Sequence, residues 1–164
     1  IQGAQSELVT LLERRIAERR RPLEQDRGDY LQLVHLWQET GKIDKAIAIL
    51  AKFQKAFPRE FTFYYTEARL RMKQNDWAGA EPKARMSYKY SYGDNRIRSV
   101  KLIAEIQTAR GNRAAALETL KKAALEFAPL RRQVEIAGGD APGVRTLKYL
   151  GELDALKNKL NPQP

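Results

Sequence analysis

Cysteine is absent from the chain. That excludes disulfides, thiolate chemistry and cysteine-bound zinc on these residues, and it leaves the compartment open. Histidine occurs once, as His35. A single imidazole builds neither a histidine metal cluster nor a histidine-dependent nucleophilic relay. No apolar run approaches the roughly 18 residues of a membrane span. Gly138-Gly139 lacks the Lys-Ser/Thr continuation of a phosphate loop and reads as a turn. No pair of carboxylates stands apart from the surface acids. The expectation is a non-catalytic chain with no cofactor and no metal. Because it opens without Met and Ile1 does not begin a signal peptide, the chain also reads as an excised or mature piece whose targeting segment lies outside it.

Acids are outnumbered as well. The 20 Asp and Glu face 30 Lys and Arg, for a net charge of +10. Such a balance points to acidic peptides, anionic membrane surface or nucleic acid, beside the plainer reading of a well-solvated surface. The most basic run, ERRIAERRRPLEQDR over 13–27, carries interleaved acids. Glu13 and Glu18 among the arginines suit an exposed helix face with i,i+4 pairs, and they argue against a nucleic-acid arm. At 164 residues and 43% hydrophobic content, the chain has one domain's length and enough apolar material for a continuous core.

The most ordered stretch is Asp29–Pro58. Tyr30, Leu33, Val34 and Trp37 recur at helical spacing, Gly41 interrupts, and Ile43, Ala46, Ile47, Leu50 and Phe53 resume until Pro58. Two amphipathic helices joined by a tight turn cannot bury their apolar faces alone, so the unit should recur. A shift of 34 residues sets Ala80 on Ala46, Trp77 on Ile43, Asn75 on Gly41, Ala68 on Val34 and Tyr64 on Tyr30. A further 36 set Ala116 on Ala80, Gly111 on the turn and Ala104 on the small first-helix position, with Leu117 and Leu120 on the same second-helix face.

The period, the turn and the paired small residues resemble the tetratricopeptide repeat family. Trp37 takes the late aromatic position and Pro58 the closing proline. The resemblance covers residues 27–129 as three repeats, 27–60, 61–94 and 97–129. It implies an all-α fold: a right-handed superhelical solenoid with flanking N- and C-terminal helices, about eight in all. Departures are visible. Val34 is bulky for a small position, Glu67 and Arg71 replace apolar residues, and the second repeat ends in SYGDN without proline. The opening IQGAQSELVTLLERRI also looks like the end of a thioredoxin domain, where a last strand runs into Gly3-Ala4 and a closing helix. FTFYYTEAR and YGDNRIR are similar to the repeat tails that follow thioredoxin-like domains in some bacterial proteins. That likeness implies a Cys-x-x-Cys outside this chain, with this chain as an accessory domain.

Outside the repeats, Ser6 is expected to cap a first helix carrying Leu8, Leu12 and Ile16 on one face, widened by Leu11 and ended by Pro22. Residues 22–28 read as a linker. Phe61, Phe63 and Tyr65 alternate like a strand, as do Tyr88, Tyr90 and Tyr92, but the repeat frame makes both helical, with Tyr88 and Tyr92 at i,i+4. Pro82 falls in the first turns of a helix, where it is tolerated but can kink the turns after it. After Pro129 the repeat ends and 130–137 is ambiguous. Pro142 opens a last helix with Tyr149, Leu153, Leu156 and Leu160 on one face, extended by Leu147 and Leu150. It suits a cap over the last exposed core face, with pairing of two copies into a homo-oligomer as the alternative.

In the tetratricopeptide family the concave face, built mostly of first helices, binds peptide segments. In this frame the groove candidates are Leu31, Gln32, His35, Gln38, Tyr65, Thr66, Arg69, Lys73, Arg98, Lys101 and Glu105. Arg69, Lys73, Arg98 and Lys101 form a basic set, with Tyr65, Leu31 and Met72 as apolar contact. Arginine engages carboxylates bidentately, so the expected partner is a protein, through an acidic or C-terminal peptide segment. The family's carboxylate-clamp pattern does not carry over, since Leu31, His35 and Thr66 stand where Lys and Asn are needed. His35 alone is more simply a surface or groove residue.

Overall fold

The computed structural model describes residues 2–19, 22–138 and 141–161. These residues form eight α-helices and one short 3-10 turn, with no strand among them. The helices are α1 (Gln2–Ala17), α2 (Arg27–Glu39), α3 (Ile43–Ala56), α4 (Phe61–Lys73), α5 (Trp77–Tyr90), α6 (Asp94–Ala109), α7 (Arg113–Ile136) and α8 (Ala141–Leu160). The 3-10 turn, Glu24–Asp26, leads into α2. Each helix packs on the next in the chain, and α8 also reaches back to α6.

Three of the connections share one geometry. Gly41, Asn75 and Gly111 sit at φ of 73°, 59° and 76°, a region glycine enters freely and asparagine tolerates. The next N–H, on Lys42, Asp76 and Asn112, returns to the carbonyl of Trp37, Arg71 and Gln107 at 2.7, 2.9 and 2.9 Å. Carbonyls left open at the end of the first helix are thereby satisfied. The following helix starts at once. Asp76 Oδ1 accepts from the Gly79 N–H at 2.9 Å and Asn112 Oδ1 from the Ala115 N–H at 3.1 Å. Lys42 supplies no such cap.

Ala46, Ala80 and Ala116 are the fourth residues of α3, α5 and α7, and all three are 0% exposed. Their N–H groups close the first turn onto residues 42, 76 and 112 at 3.2, 3.0 and 3.1 Å. Val34, Ala68 and Ala104, the small positions of α2, α4 and α6, are buried too. The 34- and 36-residue shifts thus align turns, helix starts and close-packed positions alike.

The apolar interior falls into three groups. Val9, Leu12, Tyr30, Leu33, Trp37, Leu50, Phe53 and Phe63 pack α1–α4 together, with the Tyr30 and Phe53 rings stacked at 4.0 Å. Ala68, Ala80, Ala84, Leu102, Ile103 and Ile106 join α4, α5 and α6. Ile97, Ala116, Leu120, Phe127, Leu150, Leu153 and Leu160 join α6, α7 and α8. Leu150, Leu153 and Leu160 of α8 are therefore covered within the chain itself. Arg131 of α7 meets Asp154 of α8 at 2.7 Å, and Thr146 Oγ1 of α8 donates to Asp94 Oδ1 at the start of α6 at 2.6 Å.

A polar seam occupies α4 where the repeat pattern called for apolar side chains. Glu67 takes the position of Leu33 and Arg71 that of Trp37, yet Glu67 is only 1% exposed. Its carboxylate accepts from Gln54 Nε2 at 2.5 Å and Arg71 Nε at 2.7 Å, and Lys83 Nζ lies at 3.0 Å. Lys83 also donates to Gln54 Oε1 at 2.6 Å, and Arg71 Nη1 to Asp76 Oδ2 at 2.6 Å. The Gly79 N–H and the Arg71 guanidinium hold the Asp76 carboxyl below its ordinary range. Burial pulls Arg71 down, but its bonds to Glu67 and Asp76 leave it raised.

Several boundaries differ from the sequence expectations. Ser6 is not a cap: α1 begins at Gln2, takes in Gly3-Ala4 where the thioredoxin likeness implied a strand running in, and ends at Ala17, well before Pro22. Leu11 does not widen the packed face. It is 46% exposed, while Val9, on the other flank of Leu12, is 8% exposed. Tyr92 lies beyond the end of α5, exposed, with its ring edge-on to Phe61. The third helix pair begins at Asp94 rather than 97, and α7 runs through Pro129 to Ile136. Pro129 and Leu125, whose carbonyl loses its helical donor to the proline, are both exposed, so water can serve that carbonyl.

Overpacking tests the close approach. Ala80→Leu should destabilise the fold by about 1–3 kcal/mol in urea denaturation followed by far-UV circular dichroism. An unchanged midpoint would contradict a tight contact there. Glu67→Ala removes the acceptor shared by Gln54, Arg71 and Lys83 and should lose about 1–3 kcal/mol, since Arg71 keeps Asp76 and Lys83 keeps Gln54. A loss below about 1 kcal/mol would mean the seam is hydrated rather than buried.

Candidate functional site

On α4, Tyr65, Arg69, Met72 and Lys73 fall at i, i+4, i+7 and i+8, which places them along one stripe of the helix. Trp77 begins α5 beneath them, and Lys101, Leu102 and Glu105 of α6 stand opposite. Together these eight side chains line an open depression of about 500 Å³. Its floor is apolar or aromatic, through Tyr65, Met72, Trp77 and Leu102. Its rim is basic.

The four cations of the expected basic set are not equivalent. Arg69 and Lys73 are exposed and have no ion-pair partner among the described residues. Lys101 Nζ lies 2.7 Å from Glu152 of α8 and 3.7 Å from Glu105. The Glu152 bond raises the Lys101 pKa against the pull of burial, and Lys101 in turn holds the Glu152 carboxyl below its usual range. Arg98 lies over two rings, 5.1 Å from the Tyr65 centroid and 5.8 Å from that of Tyr149, and donates to Asn95 Oδ1 at 3.2 Å. Two cations are thus open to a ligand, one is neutralised from within, and one braces the aromatic wall.

The structure brings Tyr65, Arg69, Lys73 and Lys101 together, with Arg98 adjoining through Tyr65. Gln32, His35 and Gln38 do not join them: they lie on α2, which contributes nothing to the depression lined by α4, α5 and α6. The His35 ring faces Glu39 of its own helix at 3.3 Å and is largely exposed. Leu31 packs against the first core. Thr66 turns its hydroxyl back to the Thr62 carbonyl at 2.7 Å. Sequence reasoning missed Trp77 as a floor residue, although its place at the start of the second helix was the available signal. The Lys101–Glu152 pair, 51 residues apart in the chain, left no local signal at all.

No family model, curated protein or solved structure matches this chain. The chemistry of the site therefore rests on its own side chains. Among the described residues no group of His, Cys, Asp or Glu is placed to hold a metal ion, and no helix is long and apolar enough to cross a membrane. What the depression offers is an apolar floor, two open cations and a hydrogen-bonding rim.

The Glu152 carboxyl titrates lower when folded than when unfolded. Its tie to Lys101 therefore adds stability above the ordinary carboxylate range and is lost as pH falls through the depressed folded value. Both side chains are about one third exposed, 32% and 34%, so the contribution stays under about 1 kcal/mol. Glu152→Gln should lower the urea midpoint slightly at neutral pH and match the parent in acid. A gap that persists in acid would mean the glutamate acts through something other than charge.

Proposed function

We propose that this chain is a non-catalytic protein-binding module, a short right-handed superhelical array of three tetratricopeptide-like helix pairs flanked by α1 and α8. Its α4–α6 depression takes an acidic or C-terminal peptide segment. The observation that carries this reading is the pair of open cations, Arg69 and Lys73, beside an apolar floor that includes Trp77. An extended peptide would lay an apolar side chain against Trp77, Met72 and Tyr65 and set a carboxylate on the Arg69 guanidinium, whose planar fork donates two bonds to it. The repeated turns and the buried alanines support the tetratricopeptide resemblance, and seven of the eight lining residues come from α4 and α6, the first helices of the second and third pairs, with Trp77 of α5 completing the set.

In this role the chain acts as an adaptor within a larger protein. Holding a partner segment in the depression keeps it near whatever domain is joined to the chain and raises its effective concentration there. A redox domain of the thioredoxin type upstream is one such neighbour, supported by the sequence likenesses at residues 61–69 and 92–98 alone, since the strand implied by the likeness at residues 1–16 is helix from Gln2 onward.

The test is a fluorescence-anisotropy titration with a labelled peptide that ends in alternating apolar and acidic residues. Arg69→Glu with Lys73→Glu should weaken capture at least tenfold, since each charge-assisted bond lost is worth about 1.5–3 kcal/mol. Lys101→Gln should change it much less, because Glu152 already occupies that ammonium. Undiminished capture by the doubly reversed variant, with its helical spectrum intact, would move the site elsewhere.

A further inference from the structure

A second cavity, of about 530 Å³, opens between α1, α2 and α3. It shares no residue with the depression on α4–α6. Its apolar lining includes Ile16 from α1, Trp37 from α2, and Ile49 and Phe53 from α3. Along its edge stand Lys45 and Lys52, seven residues apart on α3 and so about 10 Å apart along the axis. Both are exposed and have no ion-pair partner among the described residues. Arg19 adds a third cation, held 2.8 Å from Asp26, and Glu13 is the one acid among the described lining residues.

We propose that this groove binds a free carboxylic acid with a single apolar tail, the tail lying along Ile16, Ile49 and Phe53 and the carboxylate held at the groove's edge by the positive field of Lys45 and Lys52. Two observations converge. The volume lies within the range of small-molecule sites, which are mostly apolar with a few polar groups that fix orientation. A stable protein partner would instead need about 800 Å² of surface on each side. The sign of the rim selects an anion, because two unpaired ammonium groups face one lining carboxylate.

The probe is decanoate below its micellar range, compared with decanol and decyltrimethylammonium of the same tail. Calorimetry gives affinity, and methyl and indole NMR give location. Decanoate should bind at least tenfold tighter than either control, shifting Ile16, Ile49 and the Trp37 indole while leaving Met72 and Leu102 of the other depression in place. Lys45→Glu with Lys52→Glu should weaken it at least tenfold, and Ala17→Phe, which fills the exposed side of the groove without touching the lysines, should also abolish it. Equal affinity for all three amphiphiles, shifts confined to other residues, or binding that survives either variant would overturn the proposal.

Discussion

Two helices of one pair approach most closely where one of them presents no more than a methyl group to the other. In this chain Ala46, Ala80 and Ala116 take that position, each one turn after a left-handed residue has reversed the chain. The reversal and the close approach are one constraint seen twice. The turn delivers the second helix with its fourth residue facing inward, and only a small side chain lets the helix axes draw near enough for the flanking leucines and isoleucines to interlock. Everything placed on the outer faces of the pairs, including both cavities, inherits its position from those crossings.

Within that frame the polar seam at Glu67 is a substitution of one kind of contact for another. Where the first pair fills the space with Leu33 and Trp37, the second fills it with a carboxylate ringed by an amide, a guanidinium and an ammonium. Buried ion pairs of this sort add little net stability relative to apolar packing. They are demanding in geometry, because a carboxylate so placed tolerates few other arrangements of Gln54, Arg71 and Lys83. The third pair relaxes toward the apolar pattern, with Ile103 at the equivalent position and Gln107 buried beside it, in reach of Glu81 and Thr119.

The helical class, the turns at Gly41, Asn75 and Gly111 and the buried alanines were legible in the sequence, since they arise from local backbone chemistry and spacing. Helix limits were less so. Ser6 has the chemistry of a cap, but Gln2–Gln5 continue the helix ahead of it, and Pro129 has the chemistry of a stop but sits where solvent replaces the missing bond. Spacing along α4 sets Tyr65, Arg69 and Lys73 on one stripe, and all three line the depression. It did not place the α2 residues, because the faces of α2 and α4 are related by packing rather than by sequence. Nor did it reveal that Glu152 arrives from α8 to neutralise Lys101, a pairing that exists only once the chain has folded back on itself.

The chain's habit of packing each helix on its immediate successor has a kinetic side. Contacts of this kind link residues close together along the polymer, so little loop entropy is surrendered before the first favourable burial is gained. Ordering can begin in any one hairpin and spread outward by templating the next. A change in α8 is then felt first by α7 and α6, the helices it packs on, and reaches the earlier pairs only through them.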